Sequence, residues 1–516
     1  MQSFRIKNTK SFVDSGEIKI KPITILVGQN SCGKSSLLRF PAVLAQTANY
    51  VEKNPPISFF GENVDYGNFE DVVFGKNGQE ISFSLCYKVD VTGNTRISTD
   101  ISGNHFFIGS RRKFAGVDAE PIIRDATIEV TIIRINKSIK VSKVDVKVEN
   151  THVSSLHWDN DKKRYLLELF SFFENGNFTF VNEVIEFSRD EVSFEKFFPI
   201  YESDPIQAII ATKKKEIQRE RLNEIYKYYL VQSRKMDLPS NLSEEEKDIA
   251  RIYSVFIFSA DVMEGIFGAF NVESKKRISY IGPFRENPDR IYRNSETIKE
   301  KVGSKGENVG DILARAYQDE DKRLFEKISQ IVTDYFGYEL KLRELGNNYF
   351  QLMLRDKNGI ESNLIDVGFG ISQVLPIISQ VCMSSLKKNK SIDLGINNMI
   401  LVEQPELHLH PAAQSRLADL FATCLSTNKN ARFIIETHSE HLISRLQVLI
   451  ADENWPITAD MVQILYVDKN DKGEAIIEEM KIKENGKFEK AWPSGFFDQG
   501  YMLARQLSKA SIKRGN

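Results

Sequence analysis

Ile23-Thr24-Ile25-Leu26-Val27-Gly28-Gln29-Asn30-Ser31-Cys32-Gly33-Lys34-Ser35-Ser36-Leu37-Leu38-Arg39-Phe40 is the stretch on which the reading of this chain turns. Its first five residues predict a buried strand, the segment Gly28 to Ser35 matches G-x-x-x-x-G-K-[S/T], and Ser36 onward predicts a helix. Glycines at those places let backbone N–H groups wrap phosphates. Lys34 reaches the β/γ-phosphates, and the Ser35 hydroxyl ligates Mg²⁺. The helix N-terminus adds the positive end of its dipole. Gly28, Asn30, Ser31, Gly33, Lys34, Ser35 and Ser36 are therefore the candidate nucleotide-binding residues. A chance glycine turn is the bland alternative. It leaves the strand before and the helix after unexplained.

Working outward, three more segments carry chemistry. Met399-Ile-Leu-Val-Glu403-Gln404-Pro405-Glu406-Leu-His-Leu-His-Pro411 runs apolar residues straight into a carboxylate. That describes a buried strand delivering Glu403 to the metal edge of a phosphate site, where it holds Mg²⁺ directly or through water. Phe433-Ile-Ile-Glu-Thr437-His438-Ser439 is a second such strand, ending in a histidine able to hydrogen-bond a γ-phosphate. Ile365-Asp-Val-Gly368-Phe-Gly370-Ile-Ser372-Gln373 precedes an apolar helix and offers free amides and a hydroxyl to an anion. A tight turn between packed elements explains that last segment equally well. Four of the seven histidines (His408, His410, His438, His441) fall in this region, but no cysteine or third ligand stands at zinc spacing. Asp468-Lys-Asn470-Asp-Lys472-Gly473 mimics a calcium loop, yet lysine at its fifth position predicts a hairpin turn instead.

The chain has 516 residues, 41% hydrophobic and 27% charged, enough for about three domains of an ordinary globular protein. Lys+Arg 69 against Asp+Glu 71 leaves a formal charge of −2, so any nucleic-acid contact must be a local patch. Four scattered cysteines without a CxxC pair point to a reducing compartment. The first dozen residues lack a signal-peptide core. Ile252 to Phe270 is apolar, but Asp261 and Glu264 interrupt it, which predicts a buried helix rather than a membrane span. A cytoplasmic protein with no membrane contact is the expectation.

Alternation at Phe4, Ile6, Ile18 and Ile20 predicts an N-terminal antiparallel sheet. From Ile81 to Val148 the pattern stays β, with Ile139, Val141, Val144, Val146 and Val148 against Lys and Asp. Helices follow, one from Ile206 to Tyr229 with six cationic against three acidic residues, another capped by Ser243. The charged helix reads as a solvated face or as a patch for nucleic acid or an acidic partner. The expected organisation is an α/β fold: an ATPase head with an N-terminal antiparallel part at 1–92, an insertion of β meander then helices at 93–275, and a C-terminal lobe at 276–516.

Taken in order, these motifs resemble the ABC-type ATPase domain, with P-loop, signature loop, Walker B strand and switch histidine. The box Glu403-Gln-Pro-Glu-Leu-His-Leu-His-Pro411 is similar to that of the SMC- and OLD-like ATPases of prokaryotes, as are Tyr280-Ile-Gly-Pro-Phe-Arg285 and Trp492-Pro-Ser-Gly-Phe-Phe-Asp498. The likeness covers roughly residues 1–90 and 276–500 and leaves the insertion without a motif. It implies ATP and Mg²⁺ as cofactors and a head-to-head homodimer or higher even oligomer. Each ATP would lie between one subunit's P-loop and the other's Gly368, Gly370, Ser372 and Gln373. It further implies an antiviral defence ATPase like those of Septu or retron-associated systems, one that senses or clamps nucleic acid or regulates a partner nuclease subunit of HNH type. OLD nucleases carry a Toprim domain after the ATPase. Only 78 residues follow His438 here, without a second acidic set, so no intrinsic nuclease activity is expected.

Two positions depart from the pattern. Gly368 stands where the signature carries a serine, so Ser372 is the candidate hydroxyl. Gln404 stands where the catalytic glutamate belongs, which predicts slow hydrolysis, with Gln404, Glu406 and His438 the candidate catalytic residues. Rival readings are an SMC-like DNA-repair ATPase, a transporter's nucleotide-binding subunit and an ATP-bound scaffold. More than 300 residues separate Gly33 from Gly368, which disfavours the compact transporter subunit.

Overall fold

Two hydrophobic cores share one mostly parallel sheet, and the period-2 alternation of its strands sorts side chains between them. The computed structural model describes residues 1–50, 55–76, 78–91, 97–99, 105–107, 122–136, 138–174, 177–201, 205–213, 243–293, 295, 297–346, 348–386, 397–493, 497, 503 and 505–510. The shared sheet runs in the order Ile278–Ile281, Asn398–Glu403, Ala431–Glu436, Ile23–Gly28, Val462–Lys469, Ala475–Glu479. The first five strands are parallel and the last is antiparallel. Met399, Leu401, Ile434 and Leu26 face one core, while Ile400, Val402, Phe433, Ile435, Ile25 and Val27 face the other. Burial on both faces accounts for the near-continuous apolar runs of these strands.

The first core holds the helix Lys34–Asn49 and a nine-stranded antiparallel sheet. That sheet is ordered Asn177–Phe187, Arg164–Glu174, Thr151–Asp159, Ser138–Val148, Ile123–Ile135, Glu80–Asp90, Ser3–Thr9, Phe12–Asp14, with Ile18–Lys19 also paired to Ser3–Thr9. Phe40 of the helix stacks on Phe4 and tilts against Phe83, with ring centroids 5.7 and 5.5 Å apart. The alternation along Ser138–Val148 changes parity between Val141 and Val144 because a bulge sits opposite Thr131 and Ile132. Glu80–Asp90 and Ile123–Ile135 are adjacent strands in full register from Glu80 to Asp90. Ile123–Ile135, within the expected insertion, is thereby bonded into the N-terminal sheet.

The helix Glu244–Val272 lies across this sheet, with Ser259 Oγ 2.5 Å from Ser154 Oγ. Ser243 caps it by accepting from the Glu246 N–H, as the sequence predicts. It is long and apolar enough to cross a membrane by composition, but Ile252, Val255, Phe256, Val262, Ile266 and Phe270 are buried in the first core. Of the charged helix expected between Ile206 and Tyr229, Pro205–Thr212 and Lys213 are described, and Lys213 pairs with Glu183 at 2.7 Å. Its remaining charges lie outside the described residues.

The second core packs five helices beneath the parallel sheet: Val309–Gln318, Arg323–Phe336, Phe369–Leu386, Pro411–Thr427 and Glu440–Ala451. The calcium-loop mimic is a hairpin turn, where Gly473 N–H donates to Asn470 O and Asn470 N–H to Glu474 O. Trp492 packs edge-on between Phe488 and Phe497, while residues 494–496 and 498 of its box lie outside the described residues. All four cysteines are buried and unbonded.

Candidate nucleotide-binding site

The site forms where the parallel strands end, because loops leaving carboxyl-terminal strand edges face one crevice. Gly28 ends its strand at φ 139, and a Cβ there would stand 1.9 Å from the Val467 carbonyl oxygen of the neighbouring strand. Only glycine fits. Gly33 precedes the helix at φ 112, with room for a Cβ closed by Phe12 and Ser11 at 3.0–3.2 Å. Asn30 and Ser31 are exposed on the loop, Ser31 at φ 61, and Ser36 accepts from the Tyr66 hydroxyl through its carbonyl. Lys34 is buried, its Nζ donating to Gly28 O at 3.1 Å and Gln29 O at 2.7 Å. An ammonium holding two loop carbonyls keeps the loop curled with its amides turned toward a phosphate.

Glu403 and Glu436 are the last residues of adjacent strands and pair in register. Both share the strand parity of Leu401 and Ile434, so both project to the face carrying the helix Lys34–Asn49. Glu403 is largely committed there. Arg39 binds it through Nε at 2.5 Å and Nη2 at 2.7 Å, and the Tyr280 hydroxyl donates to Oε1 at 2.8 Å. A bidentate guanidinium and a phenol fill most of that carboxylate's acceptor sites. Glu436 is buried as deeply, yet its Oε2 has no partner. Burial pushes the Glu436 carboxyl above its usual range, and contact with the Ser35 hydroxyl pulls the other way.

Gln404 turns the chain out of the strand at φ 43, with its N–H donating to Glu436 O at 2.8 Å. Arg285, buried, grips the same turn: Nη2 donates to Glu403 O at 2.6 Å and Nη1 to Gln404 O at 3.1 Å. Burial lowers the Arg285 guanidinium to about 10. Glu406 accepts from the Thr437 hydroxyl at 2.8 Å and the His438 N–H at 2.7 Å. Its carboxylate therefore orients the histidine segment. Burial raises the Glu406 carboxyl, with the His438 amide acting against it. His438 Nε2 is buried without a partner, and burial together with the Lys34 ammonium keeps the imidazole below its ordinary range. A neutral imidazole beside the P-loop lysine can donate to a phosphate oxygen.

The signature segment lies against the same turn. Gly370 approaches the His408 carbonyl, with 3.2 Å to a would-be Cβ, and Gln373 Nε2 donates to Arg285 O at 3.5 Å. Ser372 and Gln373 are buried, while Gly368 is exposed with open space around it. Sequence reasoning left Arg39 and Glu436 unassigned. Arg39 stands four residues after Ser35, hence on the same helix face, and Glu436 repeats Glu403's place at a strand end.

Residues 1–443 match the family model described as an AAA ATPase domain, and residues 457–507 match one described as a protein of unknown function. No curated protein matches the chain. Three solved structures align over 93% of it. An SmcHead bound to the C-winged helix domain of ScpA aligns over 98% of its own chain, with 11% identity and TM-score 0.36. An Smc head with an extended coiled coil, bound to a ScpA domain derived from Pyrococcus furiosus, aligns over 96%, with 12% identity and TM-score 0.36. The SMC head domain from Thermotoga maritima aligns over 99%, with 11% identity and TM-score 0.34. A P-loop and its strand-end carboxylates, within a match that spans residues 1–443 of 516, mean that this chain belongs to the AAA ATPase domain family.

Proposed function

We propose that this protein is an ATP-binding, slowly hydrolysing ATPase that dimerises head to head and uses its ATP-bound state to restrain a partner nuclease of HNH type in antiviral defence. The observation that carries the nucleotide reading is that Lys34 and Ser35 follow the end of the strand Ile23–Gly28 while Glu436 and His438 stand at the end of the strand paired with it. Ser35 and a strand-end carboxylate, assigned from sequence to Glu403, would hold Mg²⁺ there, and the ion would supply charge neutralisation to the phosphates. Gly28 and Gly33 shape the cradle, Lys34 faces the β/γ-phosphates, and neutral His438 donates toward the γ-phosphate. The defence role rests on the likeness of the Glu403–Pro411 box to OLD-like ATPases; a DNA-repair ATPase shares the same chemistry. The signature glycines place the second subunit's amides opposite the P-loop in such a dimer.

Calorimetry with ATP and Mg²⁺ tests the nucleotide arm. Lys34→Ala is expected to weaken binding at least about tenfold, since a charge-assisted hydrogen bond contributes roughly 1.5–3 kcal/mol. Unchanged affinity overturns the P-loop assignment. The nuclease arm is tested by whether the neighbouring open reading frame encodes an HNH nuclease and whether that nuclease co-purifies with the ATP-bound protein; absence of the gene or of the complex overturns that arm.

A further inference from the structure

Glu403, the acid that sequence assigns to the metal, has little acceptor capacity left. Its two oxygens take both prongs of Arg39 and the Tyr280 hydroxyl. The neighbouring acid is the opposite case. Glu436 is 4% exposed, its Oε2 is buried with no hydrogen-bond partner, and it ends the strand paired with the P-loop strand, opposite Leu26, eight residues before Lys34. An unpartnered buried carboxylate oxygen is strongly unfavourable unless a proton or a cation answers it. Topology favours the cation. The strand Ala431–Glu436 lies between the Walker B strand Asn398–Glu403 and the P-loop strand Ile23–Gly28, so Glu436 is one strand closer to the phosphate cradle than Glu403.

We propose that Glu436, together with the Ser35 hydroxyl, supplies the carboxylate of the Mg²⁺ site, and that Glu403 is a positioning residue that locks Arg39 and the Walker B turn. This deepens the proposed function and rests on its nucleotide reading. The division of labour follows from charge. Arg39⁺ neutralises Glu403 locally, leaving one acid at the strand ends with an open oxygen for a divalent cation. Tyr280 and the Arg285 grip on the Glu403 and Gln404 carbonyls hold the turn in that arrangement.

The test compares ATP affinity with Mg²⁺ and with EDTA, and follows Mn²⁺ binding to the protein–ATP complex by electron paramagnetic resonance. Wild type, Glu436→Gln, Glu436→Asp and Glu403→Gln are measured, each with a thermal melt. Glu436→Gln is expected not to weaken ATP binding in EDTA, where it removes an anion facing the phosphates, and to lower Mn²⁺ affinity by at least about 10–100-fold, the range for losing even a supporting group of a metal site. Glu436→Asp keeps the charge and should recover part of the loss. Glu403→Gln is expected to lower the melting temperature while retaining metal-assisted ATP binding. If Glu436→Gln keeps full Mn²⁺ affinity and Glu403→Gln loses it, the inference is overturned and Glu403 is the ligand. Wild type failing to bind ATP under any condition overturns the nucleotide reading itself, a separate result.

Discussion

Gln404 shows how much one residue decides. Its backbone is held on both sides, N–H to Glu436 O and carbonyl to Arg285, so the carboxamide leaves a turn that cannot swing freely. A carboxamide can orient a water through its oxygen but takes no proton at neutral pH. The other candidate base, Glu406, has both oxygens occupied by Thr437 and the His438 amide. Gln404→Glu is therefore expected to raise the single-turnover hydrolysis rate at least about tenfold, since general-base help lowers a barrier by more than about 1.4 kcal/mol. Brisk wild-type turnover, unchanged in Gln404→Glu and abolished in Glu406→Gln, would make Glu406 the base. His438 belongs to the same scale. Its position after a strand is plain in the sequence, whereas the carboxylate orienting it lies 32 residues upstream and is known only from contact.

At the scale of the element, the helix Glu244–Val272 buries acids along with its apolar face. Burial and the nearby Asp261 raise the Glu264 carboxyl from 4.5 to about 8, and its Oε2 lacks a partner. The native state thus keeps a proton that the unfolded chain has already released. Linkage gives the sign: this contribution is fully present below pH 4.5, shrinks as pH rises, and is lost by about pH 8. Glu264→Gln, neutral at every pH, is expected to flatten that decline. Melting temperatures measured across this range decide it, and an equal decline in wild type and variant counts against the assignment. That Ile252–Phe270 forms a buried helix was legible from its interrupting acids, because two carboxyls are tolerated in a core more readily than in lipid. Which residues they meet was not.

At the scale of the whole molecule, the first part of the signature segment, Ile365, Asp366 and Gly368, is exposed. Gly368 is exposed with no atom within 4 Å of a would-be Cβ, whereas Gly370 meets the His408 carbonyl. Gly368→Glu therefore tests the interface without disturbing the fold. Sedimentation with a non-hydrolysable ATP analogue is expected to double the mass of wild type and to leave Gly368→Glu monomeric. Equal mass for wild type with and without the analogue sinks the dimer. The nine-stranded sheet also belongs to this scale: Glu80–Asp90 and Ile123–Ile135 pair across the boundary expected between residues 92 and 93.

Local chemistry alone determined much of this protein. Gly28, Gly33, Lys34 and Ser35 spell a phosphate cradle because backbone freedom, charge and hydroxyl are needed at those spacings, and apolar runs ending in Glu403 and Glu436 spell buried strands that deliver acids. Register between the strands, not the alternation within either, puts both acids on one face, with Glu403 opposite Glu436. Only the tertiary structure decided which acid is taken. Arg39 and Glu403 are 364 residues apart, and their pairing depends on strand order, which is set by packing between two cores and leaves no mark in either segment. A strand's own sequence records which faces it buries; it does not record its neighbours.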